Sequence, residues 1–295
     1  MKTAPFTGSA VAIITPFTEC GVDFKKLDEL LEFHIANKTD AIVVCGTTGE
    51  CSTMPDEEHT AVIKHTVETV AGRVPVIAGT GSNDTKHAIY LSQFAEKAGC
   101  DGLLVVTPYY NKTTQKGLRK YFEDIANSVS IPIILYNIPG RTGVAISIDT
   151  FKYLDKIPNI VAVKEATGDV AFAAKIARET DLVLYSGNDD IIVPIMSLGG
   201  KGVISVLANI LPEETHNICA DFETGNVEKS REEFLKYLKL INALFIEVNP
   251  IPIKTAMNLL GYNVGGLRAP LCDMEEANLE VLKKELEAVG LKIKA

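Results

Sequence analysis

Eight short apolar runs, each leading into a stretch of helical character, constrain what this chain can fold into more than any other feature. They lie at 9–15, 41–45, 74–79, 102–107, 132–137, Ile160–Glu165, 182–186 and 202–206. Most carry apolar residues at consecutive positions rather than in alternation, as strands do when a parallel sheet is covered on both faces. Between them, 24–37 sets Leu27, Leu30, Leu31 and Ile35 on one helical stripe. Met54-Pro55-Asp56-Glu57-Glu58 has the look of a helix start, with proline in the first turn and acids at the positive dipole end. Thr85–Ala98, 117–128 and 171–179 follow the same pattern, and Gly72 and Gly99 stand where helices should stop.

Strand–helix repetition with short links implies right-handed crossovers. Eight such units predict closure into a (β/α)₈ TIM barrel rather than an open doubly wound sheet. A barrel of this kind takes about 250 residues, and the chain has 295. After 206 the strand pattern ends, and 212–222, 227–248, 253–260 and 274–288 read as helices. The first supplies the eighth barrel helix. Residues 1–225 are therefore expected to form a barrel carrying the active site, and 226–295 a C-terminal helical extension packed against it.

Composition narrows the function classes. The formal net charge of −9 disfavours general binding to nucleic acid or to an anionic membrane, both of which need a basic surface. No apolar run approaches the roughly 20 residues needed to cross a bilayer, and the N-terminus lacks a signal-peptide pattern. Six cysteines form no CxxC pair, so a reduced, cytoplasmic protein is expected. The five histidines show no HExxH or comparable metal spacing, no GxGxxG follows a strand, and no Walker motif is present. The chemistry is expected to rest on amine, phenol, hydroxyl and guanidinium groups, with no metal and no organic cofactor.

In such a barrel the active site lies at the C-terminal ends of the strands. The sixth ends in Val163-Lys164-Glu165-Ala166-Thr167-Gly168. A lysine with an ordinary pKa near 10.4 is neutral in roughly one molecule in a few thousand at pH 7. An apolar interior lowers that pKa and yields the neutral nucleophile that Schiff-base chemistry with a keto-acid requires. Pairing of Lys164 with a barrel carboxylate, Glu165 or Asp189, is the structural alternative. Gly46-Thr47-Thr48-Gly49-Glu50 ends the second strand. Its hydroxyls and N–H groups suit a carboxylate or phosphate, although an ordinary loop would also read this way. Thr107-Pro108-Tyr109-Tyr110-Asn111 ends the fourth, where one tyrosine can face the mouth and the other a neighbouring helix or subunit. The fifth ends in Tyr136-Asn137-Ile138-Pro139-Gly140-Arg141, offering a phenol for proton transfer and a guanidinium for a carboxylate. Each tyrosine taken singly also fits a packed core position. Glycines near Gly202-Val203-Ile204 would let a substrate approach the backbone at Ile204.

Taken in order, these strand ends, with Asn249-Pro250-Ile251-Pro252-Ile253-Lys254 further on, resemble the dihydrodipicolinate synthases of the pyruvate-dependent aldolase superfamily over essentially the whole chain. The resemblance implies an enzyme that condenses pyruvate with aspartate semialdehyde in lysine and diaminopimelate biosynthesis. It implies Lys164 as the Schiff-base residue, Tyr136 as proton shuttle, and Thr47 linking Tyr136 to Tyr110 of a neighbouring subunit. Thr48 would bind the pyruvate carboxylate, with Ile204 and Gly187 lining the same pocket, and Arg141 would bind the carboxylate of the second substrate. A homotetramer of tight dimers is expected with it. One departure stands out. Lysine-inhibited members often carry two histidines three residues apart after the Gly-Thr-Thr-Gly-Glu loop and a glutamate on the next helix. Here those positions are Asp56, His59 and His87, so weak or absent lysine inhibition is expected. The alternatives are another pyruvate-dependent aldolase, such as N-acetylneuraminate lyase, and a non-catalytic anion-binding barrel.

Overall fold

The computed structural model describes residues 2–294. Eight parallel strands close into a barrel: β1 Gly8–Ala12, β2 Ala41–Val44, β3 Val76–Gly79, β4 Gly102–Val106, β5 Ile133–Asn137, β6 Ile160–Glu165, β7 Val183–Ser186 and β8 Gly202–Ser205. Sequential strands pair with one another, and β8 returns to β1. The expected TIM barrel is thus present. Its helices are α1 Phe24–Ala36, α2 Asp56–Val70, α3 Thr85–Ala98, α4 Gln115–Ala126, α5 Ile148–Leu154, α6 Val170–Glu179, α7 Ile192–Ser197 and α8 Pro212–Glu223.

The consecutive apolar residues divide between two cores by strand parity. Ala10, Ala41, Val43, Leu104, Ile134, Ala162, Tyr185 and Ile204 fill the barrel interior, where Phe6 stacks on Tyr185 at 4.3 Å between ring centres. Their neighbours Val11, Ile42, Leu103, Leu135, Val163 and Leu184 point outward and pack beneath the helices. Lys164 has the parity of Ala162 and so points inward, whereas Glu165 points outward. Cross-strand register sets Lys164 between Tyr136 of β5 and Tyr185 of β7.

Several local expectations are adjusted. The first strand stops at Ala12 rather than continuing to 15, and a two-stranded ribbon, Phe17–Thr18 with Gly21–Val22, follows it. Pro55 caps α2 from outside instead of occupying its first turn. A main-chain turn at Ala71, in left-handed conformation, ends α2 one residue before Gly72, while Gly99 ends α3 as expected. Two barrel helices, α5 and α7, have only seven and six residues, too few to show a periodic stripe.

Beyond α8 come α9 Val227–Ala243, α10 Ile251–Leu259 and α11 Glu276–Ala288. Helix α9 lies along α8 and contacts α11, and its C-terminal end continues into 244–250 across the mouth of the barrel. Among the described residues no helix is long and apolar enough to cross a membrane. All six cysteines are free, with Cys45, Cys100 and Cys219 buried.

Candidate active site

Lys164 is buried at the C-terminal end of β6, with its Nζ 4.4 Å from the centre of the Tyr136 ring. Among the described residues its amine makes no hydrogen bond or ion pair. Neither carboxylate considered as a structural partner is committed to it. Glu165, on the opposite face of the strand, accepts from Asn137 Nδ2 at 2.8 Å and from the Thr167 N–H at 2.7 Å. Asp189 directs Oδ2 at the N–H groups of Val206 and Leu207, at 2.9 and 3.0 Å. Burial brings the Lys164 amine down to about 8; the Asp189 carboxylate opposes that shift and the Arg141 guanidinium adds to it. A pKa there leaves about a tenth of the molecules neutral at pH 7, a gain of more than a hundredfold over an ordinary lysine.

Tyr136 stands beside Lys164 on β5, its phenol buried and pushed up to about 12 by desolvation, against the pull of Arg141 and a hydrogen bond with Thr47. The phenol therefore holds its proton throughout the neutral range and can donate it. Thr47 and Thr48 lie in the tight loop after β2, closed by Gly49 N–H to Gly46 O at 3.1 Å and Glu50 N–H to Thr47 O at 3.0 Å. A side chain at Gly49 would come within 3.2 Å of the Ile13 carbonyl, which accounts for the second glycine. Asn249 Nδ2 donates to Thr48 Oγ1 at 3.0 Å, so the threonine's own hydroxyl hydrogen is free to be donated. Arg141 lies in the one-turn helix Pro139–Thr142, where its Nη2 donates to Asn249 O at 2.9 Å.

These groups surround one cavity of about 270 Å³. Lys164, Tyr136, Thr47, Thr48, Arg141 and Gly187 all line it. Ile204 does not; it lies deeper, in the barrel interior. Tyr110 does not either, being 91% exposed on the loop after β4. Ile241, Asn242 and Phe245, which the strand ends do not reveal, close the cavity from above together with Asn249, and come from α9 and the segment after it. The one signal for them was the Asn249-Pro250-Ile251-Pro252 motif, which interrupts an otherwise helical region.

Comparison with known proteins decides the family. A sequence model described as the Dihydrodipicolinate synthetase family matches residues 5–289. The chain belongs to this family. It is 59% identical to the 4-hydroxy-tetrahydrodipicolinate synthase of Acetivibrio thermocellus, over 99% of this chain and 100% of that one. The crystal structure of dihydrodipicolinate synthase from Aquifex aeolicus superposes with a TM-score of 0.96 at 46% identity, covering 98% of this chain and 100% of that one. A dihydrodipicolinate synthase from Acinetobacter baumannii, crystallised in complex with pyruvate, has a TM-score of 0.94 at 44% identity, covering 97% and 99%.

The lowered amine pKa gives a pH prediction. Trapping of Lys164 by a small 2-oxo acid and borohydride should rise with pH and level off above a midpoint near 8. Asp189→Asn should move that midpoint down, because the lost carboxylate stabilises the protonated amine. Mass spectrometry of the reduced adduct across a pH series checks both, and a midpoint near the ordinary lysine value would contradict them.

Proposed function

We infer that this chain condenses pyruvate with L-aspartate 4-semialdehyde to give 4-hydroxy-tetrahydrodipicolinate, an early step of lysine and diaminopimelate biosynthesis. The observation that carries the inference is an unpaired, depressed-pKa lysine facing a cavity that also holds two threonine hydroxyls, a phenol and an arginine. The family and the names of its relatives agree with it.

The Lys164 amine adds to the C2 carbonyl of pyruvate, and Tyr136 supplies the proton that lets the carbinolamine oxygen leave as water. The resulting iminium draws electrons from C3. Loss of a C3 proton then gives the enamine. The enamine carbon attacks the aldehyde, whose oxygen takes up a proton. Finally the amino group of the second substrate attacks the iminium carbon, closes the ring and releases the Lys164 amine. Thr48 binds the pyruvate carboxylate, with Gly187 lining the same cavity. Ile204 contributes from the barrel interior, two residues before Val206, which lines the cavity. Arg141, exposed but tethered by its bond to Asn249 O, binds the carboxylate of the semialdehyde. That tether favours a short carboxylated aldehyde over the polyhydroxylated partner of an N-acetylneuraminate lyase. In this scheme residues 1–225 supply the reacting groups and 226–295 roof the pocket, and the six free thiols suit a reducing cytoplasm.

Tyr110 combines near-complete exposure with a positive φ of 67°, uncommon for a residue with a side chain. A large aromatic held outward in this way supports its donation to a neighbouring subunit, where it would meet Thr47, within a homotetramer built from dimers. Weak lysine inhibition belongs to the same proposal. His87 stands 2.9 Å from Asp56 Oδ1, where its protonated form would repel an added ammonium group, and His59 Nε2 is engaged by the Gly79 carbonyl at 2.9 Å.

Trapping, turnover, lysine titration and sedimentation test these points. With pyruvate and borohydride, Lys164 should gain a reduced adduct that Lys164→Ala lacks, and the protein should turn over aspartate semialdehyde; sialic acid cleavage without semialdehyde turnover would overturn the assignment. Lysine titration should leave most activity at millimolar lysine, and strong submillimolar inhibition would refute the expectation. In sedimentation, the protein should run as a tetramer, and Tyr110→Phe should lower kcat without dissociating it; a fully active monomer would remove Tyr110 from the relay.

A further inference from the structure

Lys254, on α10, is 1% exposed and does not line the cavity that holds the Lys164 amine. Its three ammonium hydrogens are all used: Nζ lies 2.7 Å from Glu50 Oε1, 2.7 Å from the Gly266 carbonyl and 3.0 Å from the Thr15 carbonyl. The ammonium also rests 4.3 Å from the centre of the Phe17 ring, which Arg268 approaches to 4.0 Å. Glu50 is equally committed, its second oxygen accepting the Arg268 N–H at 2.9 Å. Arg268 carries the connection onward to Glu58 of α2, at 2.8 Å, and to the Thr53 carbonyl, at 3.1 Å.

Glu50 is the last residue of the Thr47–Thr48 loop, and its φ of 56° lies in the left-handed region that residues with side chains seldom adopt. Such a conformation persists where its surroundings hold it. The carbonyl of the preceding residue, Gly49, accepts from Thr15 Oγ1 at 2.8 Å, and the Thr15 carbonyl accepts from Lys254. The other end of the same cradle is held from the same place in the fold. Asn249, just ahead of α10, donates to Thr48. One segment, 249–254, therefore grips the loop at Thr48 and at Glu50.

A buried ion pair contributes little net stability compared with apolar residues of the same shape. What it does supply is direction, since a fully coordinated ammonium admits one placement of each acceptor. We propose that Lys254 is a positioning residue for pyruvate: through Glu50 it fixes the Thr47–Thr48 loop in the geometry that receives the keto-acid carboxylate. The proposal rests on the assignment of that carboxylate to Thr48. It predicts that loss of the pair weakens pyruvate binding selectively, while the amine chemistry at Lys164 and recognition of the semialdehyde by Arg141 are spared.

The test uses the intact enzyme, with Lys254→Met, Glu50→Gln, the double Lys254→Met/Glu50→Gln, Lys254→Arg and Thr48→Val. The double variant removes both charges together, so it is the form to use where a single change leaves a buried charge unpaired and the protein does not fold. The pyruvate concentration for half-maximal borohydride inactivation should rise by about tenfold to a hundredfold in the double variant. The inactivation rate at saturating pyruvate, and KM for the semialdehyde, should stay close to the parent values. Lys254→Arg, which keeps the charge, should recover part of the pyruvate affinity. An unchanged pyruvate requirement in the folded double variant, with Thr48→Val raised, overturns the role of Lys254. An unchanged requirement in Thr48→Val overturns the carboxylate assignment itself. A drop in the saturated inactivation rate with pyruvate affinity intact also overturns the proposal, since it would place the effect at the amine.

Discussion

Closure of the parallel sheet is the constraint from which the rest follows. Once β8 pairs with β1, every second residue of each strand has only the barrel interior to point into, and the others have only the helix layer. That parity puts Lys164 among Ala162, Tyr136 and Tyr185, where among the described residues no carboxylate forms an ion pair with its amine. Desolvation then makes a strongly basic group into one that is partly neutral at physiological pH. Glu165, one residue further on, falls on the other side of the same strand and ties β6 to β5 through Asn137. A shift of one residue in register would exchange the two and abolish the nucleophile.

Around that amine the cavity sorts its polar groups by task. Tyr136 is held in its protonated form and Thr47 is bonded to it, so the pair is suited to moving protons. Thr48 and Arg141 are instead oriented by Asn249, one through its amide nitrogen and the other through its carbonyl. A single asparagine thus contacts both positions assigned to carboxylates, one for each of the two substrates.

Much of this was legible in the sequence because strand ends are short, local and chemically conspicuous. A lysine in an apolar run, a Gly-Thr-Thr-Gly turn, and an arginine after Ile-Pro-Gly each stand out against their surroundings, and barrel topology gathers them at one face. The roof of the cavity did not stand out. Ile241 and Phe245 are ordinary apolar residues of a helical region, and only the folded path of 244–250 brings them over the mouth. Helices α5 and α7 were unreadable for a related reason: six or seven residues complete too few turns for a stripe to emerge. Nor did Lys254 advertise its burial, since its three acceptors come from segments near residues 15, 50 and 266.

The dependence of the cradle on 249–254 also has a bearing on how the protein comes into being on the ribosome. A nascent chain contains every barrel strand once Ser205 has emerged, while its outer core still awaits the residues that α8 to α11 contribute. At that moment Thr48 still lacks Asn249, Arg141 has no carbonyl to anchor it, and Glu50 has no ammonium to bind. The nucleophile is present before the apparatus that selects its partner. These contacts arrive late in translation, so a chain that stops short of α10 has every barrel strand but lacks the cradle's anchors.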